Sequence, residues 1–154
     1  MAERNSGPAT TTEQELVITR VFDAPRELVW KAWTVDMAKW SAPRGFTMPF
    51  SEADIRPGGK WRACMKTPDG KELWLGGEYH EVVPPERLVF THEWDSDKGK
   101  PGAESLVTVV LADIDGKTQM TFRQTGFTSV ESLDGHKGGW TECFDILEEL
   151  LASE

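Results

Sequence analysis

Gly138-Gly139-Trp140-Thr141-Glu142-Cys143-Phe144-Asp145-Ile146-Leu147-Glu148-Glu149-Leu150-Leu151 is the stretch that decides the fold. Its large apolar residues, Trp140, Cys143, Phe144, Leu147, Leu150 and Leu151, recur at the three- and four-residue spacing of one helical face. A glycine inside a helix costs about 1 kcal/mol relative to alanine. Two in succession therefore need a reason, either the close approach of another element or empty space beneath the helix. Nearly everything upstream reads as strands. The pattern predicts a sheet closed by one long helix, with room left between them for a binding cavity. Thr128 and Glu131 fit a Thr-x-x-Glu capping box at the start of that helix.

Working back to the N-terminus, Leu16 to Phe22 is rich in β-branched residues and reads as the first strand. Asp23-Ala24-Pro25 stops it, and Asp23 is expected to cap a helix whose first turn contains Pro25. Leu28, Val29, Ala32 and Trp33 give that helix an apolar face. Thr34 is expected to cap a second short helix ending near Trp40. Turn signals then separate apolar segments at Phe50 to Ile55, Trp61 to Lys66, Leu73 to Val83, Leu88 to Trp94, Leu106 to Ala112 and Gln119 to Thr125. Asp69-Gly70 and Asp115-Gly116 suit tight hairpins that need positive φ. Residues 95–104 form a Gly/Lys/Asp loop expected to be mobile. Short connections imply a meander of neighbouring antiparallel strands.

A chain of 154 residues fits one domain with a sizeable core. Seven Trp and seven Phe are many for that length, and each buries a large area. The net charge of −9 repels phosphate backbones and anionic membrane surfaces, so nucleic acid is not an expected partner. No apolar stretch approaches membrane-spanning length. Residues 1–14 lack an apolar core segment and are expected to be a disordered leader, with the folded domain spanning 15–154. Cys64 and Cys143 are expected to be buried thiols in a cytoplasmic protein. Their spacing, and that of His80, His92 and His136, matches no metal motif, and no cofactor is expected.

These pieces resemble a known family. Ala24-Pro25 through Thr34, Lys39-Trp40, Pro43-Arg44-Gly45-Phe46, Arg56-Pro57-Gly58-Gly59-Lys60-Trp61, Pro68-Asp69-Gly70, Gly77-Glu78-Tyr79, Val82 through Thr91 and Gly138-Gly139-Trp140 occur in family order. Each is weak alone, and together they are specific. The sequence resembles the START-like, helix-grip superfamily, and within it the group named after the activator of the heat-shock-protein-90 ATPase. The resemblance implies an α+β, START/Bet v 1-like fold: a curved antiparallel sheet, two short helices after the first strand, and a long C-terminal helix on the concave face. Ser41-Ala42 departs from the family pattern, which often has an aromatic followed by glycine, so that edge of the cavity is expected to differ. The family name also carries a link to stress response and a chaperone partner.

Strand alternation places Leu88, Phe90, His92 and Trp94 on one inward face. His92 is then a polar group among large apolar side chains. It reads either as a core histidine with a hydrogen-bond partner or as a group that orients a ligand or transfers a proton. If Val82 pairs with Leu88, Glu78 faces His92, and a β-bulge near Gly76-Gly77 is needed to turn Leu73, Leu75 and Tyr79 inward. His136 is expected on an exposed turn of the last helix. No nucleophile elbow, activated cysteine or phosphate loop is present.

Trp40, Trp61, Met65, Trp74, Phe90, Trp94, Phe122, Trp140 and Phe144 come from elements that converge in such a fold. With Glu78 and His92 they form the expected ligand-binding set. The leading expectation is a non-catalytic binder of a small hydrophobic or aromatic molecule, as monomer or homodimer. One alternative is a co-chaperone module acting on the chaperone ATPase. Another is a cyclase- or hydrolase-type enzyme on a polyketide-like substrate, using His92 and Glu78 as acid and base.

Overall fold

The computed structural model of the protein describes residues 14–95, 104–127 and 129–154. Most of the expected leader, most of the expected mobile loop, and Thr128 lie outside them; Gln14 already belongs to the first strand. The elements run β1 (Gln14–Phe22), α1 (Arg26–Thr34), a 3₁₀ turn (Met37–Lys39), β2 (Thr47–Ala53), β3 (Lys60–Lys66), β4 (Glu72–Val83), β5 (Arg87–Trp94), β6 (Ser105–Ile114), β7 (Lys117–Phe127) and α2 (Val130–Ala152). All seven strands form one antiparallel sheet in the order β1-β7-β6-β5-β4-β3-β2. This is the expected meander, with β1 added beside the last strand. Fold class and element order agree with the sequence reading. None of the helices is long and apolar enough to cross a membrane, among the described residues.

Three local expectations are corrected. Asp23 does not cap α1; Pro25 occupies the cap position in extended conformation, and its carbonyl accepts from the Leu28 and Val29 N–H groups. Thr34 does not open a second helix. Its hydroxyl donates to the Trp30 carbonyl at 2.8 Å, closing α1 instead, and Asp36 precedes the 3₁₀ turn. Ser129 caps α2, its hydroxyl accepting from the Ser132 N–H at 3.0 Å. A hydroxyl at either position serves equally well in a capping motif, so composition does not choose between Thr128 and Ser129.

The hairpin turns fall where the Asp-Gly pairs predict. Asp115 and Gly116 both have positive φ, 52° and 88°, as the tight β6–β7 turn requires. The Asp113 carboxylate accepts the Gly116 N–H at 3.0 Å.

The two halves of α2 do different work. Phe144, Leu147 and Leu151 in its C-terminal half are buried against Phe22, Phe122 and Leu16 from β1 and β7, and against Val29 and Trp33 of α1. That half is core. Arg20 of β1 donates to the Thr141 carbonyl and to Asp145 and Glu148, while Arg44 pairs with Glu149 and its N–H reaches Glu142 at 2.7 Å. These bonds clamp the helix from two sides. The N-terminal half carries Gly135, Gly138 and Gly139. A Cβ built on any of the three meets no atom within 4 Å. Of the two reasons offered for the glycine pair, close approach is wrong for both; empty space beneath the helix holds for Gly139, whereas Gly138 is exposed on the outer side.

Candidate functional site

A cavity of about 410 Å³ lies between the N-terminal half of α2 and the concave face of β2–β5. Strand alternation decides what enters it. Trp61, Ala63 and Met65 of β3, Leu73, Leu75 and Tyr79 of β4, and Phe90, His92 and Trp94 of β5 point inward. The helix contributes Gly135, His136, Gly139, Trp140 and Cys143, and α1 contributes Trp33. The segment from Met37 to Ala53 closes the remaining side with Met37, Phe46 and Met48.

The β4–β5 register explains how Leu73, Leu75 and Tyr79 all face inward. Val82 pairs with Leu88 as expected, but Tyr79 pairs with Phe90. The bulge therefore lies between Tyr79 and Glu81 and not at Gly76-Gly77. One extra residue there flips the face of everything before it. Gly77 has another task. Its backbone passes so close to β5 that a Cβ would sit 1.9 Å from the Thr91 carbonyl oxygen and 2.7 Å from Trp61 Nε1. The bare glycine lets the Trp61 N–H donate to that carbonyl at 3.0 Å.

The same register overturns the Glu78–His92 pair. Glu78 is exposed, and its backbone N–H donates to Thr91 Oγ1 at 2.8 Å. It does not line the cavity, so the acid–base pair of the enzymatic alternative is not assembled. Four other expected residues also lie elsewhere. Trp74 alternates onto the outer face of the sheet, beside Phe50 and under Arg62. Trp40 is buried in the core and donates to the Ala32 carbonyl at 2.8 Å. Phe122 and Phe144 form the fully buried layer beneath Trp33 and Trp140. Trp61, Met65, Phe90, His92, Trp94 and Trp140 do line the space.

His92 is 5% exposed, and its ring packs 5.6–6.2 Å from those of Trp61, Trp94, His136 and Trp140. Its ring nitrogens make no hydrogen bond to another of the described residues. Burial, reinforced by the neighbouring His136, pushes its pKa down from 6.5 to about 3. His136 is not on an exposed turn. It is half-buried, its ring lies 4.9 Å from that of Phe127, and both its nitrogens are engaged: Nδ1–H donates to the Ser132 carbonyl at 2.8 Å, and Nε2 accepts the Trp94 N–H at 3.2 Å. Its position four residues before Trp140 places both on one helical face, and that spacing was the signal available in the sequence.

Cys64 and Cys143 are both buried free thiols. Burial, with Glu142 adding to it, pushes the Cys143 thiol up to about 12, so the one cysteine facing the cavity stays protonated. Burial likewise raises the Tyr79 phenol to about 12. Among the described residues, no group of three or more His, Cys, Asp or Glu side chains is placed to hold a metal. The arrangement is an apolar, aromatic-walled space with a few polar groups and two exposed carboxylates, Glu52 and Glu131, in its lining, the make-up of a small-molecule pocket.

Comparison with known proteins bears on the fold and the family. The family model described as Activator of Hsp90 ATPase homolog 1-like protein matches residues 23–152. A solved protein from Chromobacterium violaceum is 29% identical, with 89% of this chain and 96% of that one covered at a TM-score of 0.81. An AHSA1 protein from Silicibacter pomeroyi is 26% identical over 90% of this chain and 98% of its own, at a TM-score of 0.79. A solved protein from Nitrosomonas europaea is 25% identical, with 90% of this chain and 94% of that one covered at a TM-score of 0.78. No curated protein matches the sequence.

Proposed function

This chain belongs to the Activator of Hsp90 ATPase homolog 1-like family, and from that premise we propose that it binds a small hydrophobic or aromatic molecule, without catalysis, in the cavity between sheet and helix. The observation that carries this reading is the space of about 410 Å³ beneath Gly135 and Gly139, a size within the range of ligand pockets. A core selected for stability alone fills such a space, because each unfilled region forfeits dispersion contacts. Here the helix gives up side chains at two positions facing the gap, and two glycines inside a helix cost roughly 2 kcal/mol relative to alanine. The cavity speaks for ligand binding and not for the chaperone association that the family name carries.

Titration of the protein with uncharged aromatic probes, followed by tryptophan fluorescence, tests the reading. Trp33, Trp61, Trp94 and Trp140 line the cavity, so occupancy changes the emission. A saturable change with micromolar midpoint is expected. No change with any probe, in a protein shown to be folded, overturns the proposal.

A further inference from the structure

The polar groups around the cavity divide into two sets. The first is committed to the protein. The Trp61 N–H donates to the Thr91 carbonyl at 3.0 Å, the Trp94 N–H to His136 Nε2 at 3.2 Å, and the Trp140 N–H to Gln124 Oε1 at 2.9 Å. The second set makes no hydrogen bond to another of the described residues. It includes the buried His92 imidazole and Tyr79 hydroxyl, beside the more exposed hydroxyls of Ser41, Ser51 and Ser132; the Trp33 N–H, also unsatisfied, is enclosed by its neighbours and does not open onto the space. His92 and Tyr79 are buried residues whose polar atoms make no hydrogen bond to another of the described residues, which leaves both available as anchors for a bound molecule.

They are also within reach of one small molecule. Tyr79 stands directly across from Phe90, and His92 is the next inward residue along β5. That places Tyr79 and His92 on the diagonal of an antiparallel pair, roughly 7–8 Å apart at Cα. The Trp33 ring packs 6.3 Å from Phe90 on the α1 side.

Charge narrows the ligand further. Among the described residues no Lys or Arg lines the cavity, and the carboxylates that do are Glu52 and Glu131, both exposed. Among these residues a ligand carboxylate or phosphate meets two like charges and no counter-ion, and burying an unpaired anion is costly.

Resting on the ligand-binding reading above, we infer that the cavity selects an uncharged aromatic molecule bearing a hydroxyl or carbonyl group, anchored by His92 and Tyr79, and rejects the corresponding carboxylate. A hydroxyl suits the set best. It accepts from the Tyr79 O–H and donates to an imidazole nitrogen in the same pose.

Three probes of one size test this: naphthalene, 2-naphthol and 2-naphthoate, titrated by calorimetry at pH 7.5. The expected order is naphthol, then naphthalene about tenfold weaker, with naphthoate weaker still. In His92→Leu and Tyr79→Phe, naphthol falls toward the naphthalene value while naphthalene itself stays within about twofold, which separates a lost anchor from a damaged fold. Equal binding of naphthol and naphthalene in the wild-type protein overturns the anchors and leaves the cavity reading standing. Naphthoate binding as tightly as naphthol overturns the charge argument. Failure of all three probes removes the cavity reading and this inference with it.

Discussion

Trp94 donates its indole N–H to Nε2 of His136 across the gap between β5 and α2, at 3.2 Å. Because His136 Nδ1 is bound to a carbonyl, which only accepts, the ring proton must sit on Nδ1 and Nε2 must carry a lone pair. The contact ties the first turns of the helix to the end of the central strand β5 beside the cavity. Long-range proton–nitrogen NMR at pH 7.5 is expected to show His136 as the Nδ1–H tautomer. In Trp94→Phe the Nε2 acceptor loses its donor, and the tautomer preference is expected to weaken, with a stability loss of about 1 kcal/mol.

His92 supplies a pH dependence. Its pKa is depressed from 6.5 to about 3 in the folded protein, so between those values the unfolded chain holds more protons than the folded one. Stability therefore rises with pH across that window and is lost as pH falls from 6.5 toward 3, with a slope of up to about 1.4 kcal/mol per pH unit from this residue. Urea unfolding at pH 7.5, 6 and 5 measures it, and in His92→Phe this part of the slope is expected to disappear. Because Glu78 is exposed on the other side of β4, Glu78→Gln is expected to leave the His92 titration unmoved. A shift of half a pH unit or more contradicts the register described above.

The sequence made the fold legible because its strongest signals are periodic. The α2 stripe, the inward set Leu88, Phe90, His92 and Trp94, and the Asp-Gly turns are patterns of spacing, and spacing survives without knowledge of neighbours. What failed depended on a single residue of register. The bulge between Tyr79 and Glu81 leaves no compositional mark, yet it decides whether Glu78 or Tyr79 faces the cavity. Trp74 was expected inside because it is an indole, although its alternation with Leu73 and Leu75 argued for the outer face. Trp33 was placed on an apolar helix face, but only the packing reveals that its N–H lacks an acceptor.

Gly76-Gly77 looked like the mark of a bulge and is instead a place where two backbones and an indole crowd together. A methyl group at Gly77 would overlap the Thr91 carbonyl and the Trp61 ring nitrogen. Gly77→Ala is expected to cost about 1–3 kcal/mol, the range for overpacking a tight site. It also displaces Trp61, so its fluorescence maximum is expected to shift to longer wavelength as the ring becomes wetter. Denaturant melts and emission spectra check both. An alanine tolerated without loss contradicts this account of the glycine.

Gly138 and Gly139 are neighbours with opposite surroundings, and this allows helix propensity to be separated from cavity space. Gly138 is exposed on the outer side of α2, whereas Gly139 is half-buried and lines the cavity. A methyl group added to either would meet no atom within 4 Å. Gly138→Ala should therefore stabilise the protein by roughly 0.5–1 kcal/mol through helix propensity alone, with probe affinity unchanged. Gly139→Leu gains similar propensity but projects its side chain into the space beneath. Its thermal stability is expected to stay near wild type or rise, while affinity for an aromatic probe falls at least about tenfold, or 1.4 kcal/mol. Paired thermal melts and titrations on the two variants decide the matter. Loss of stability without loss of binding in Gly139→Leu would mean that the helix is packed too tightly there to leave room for a ligand.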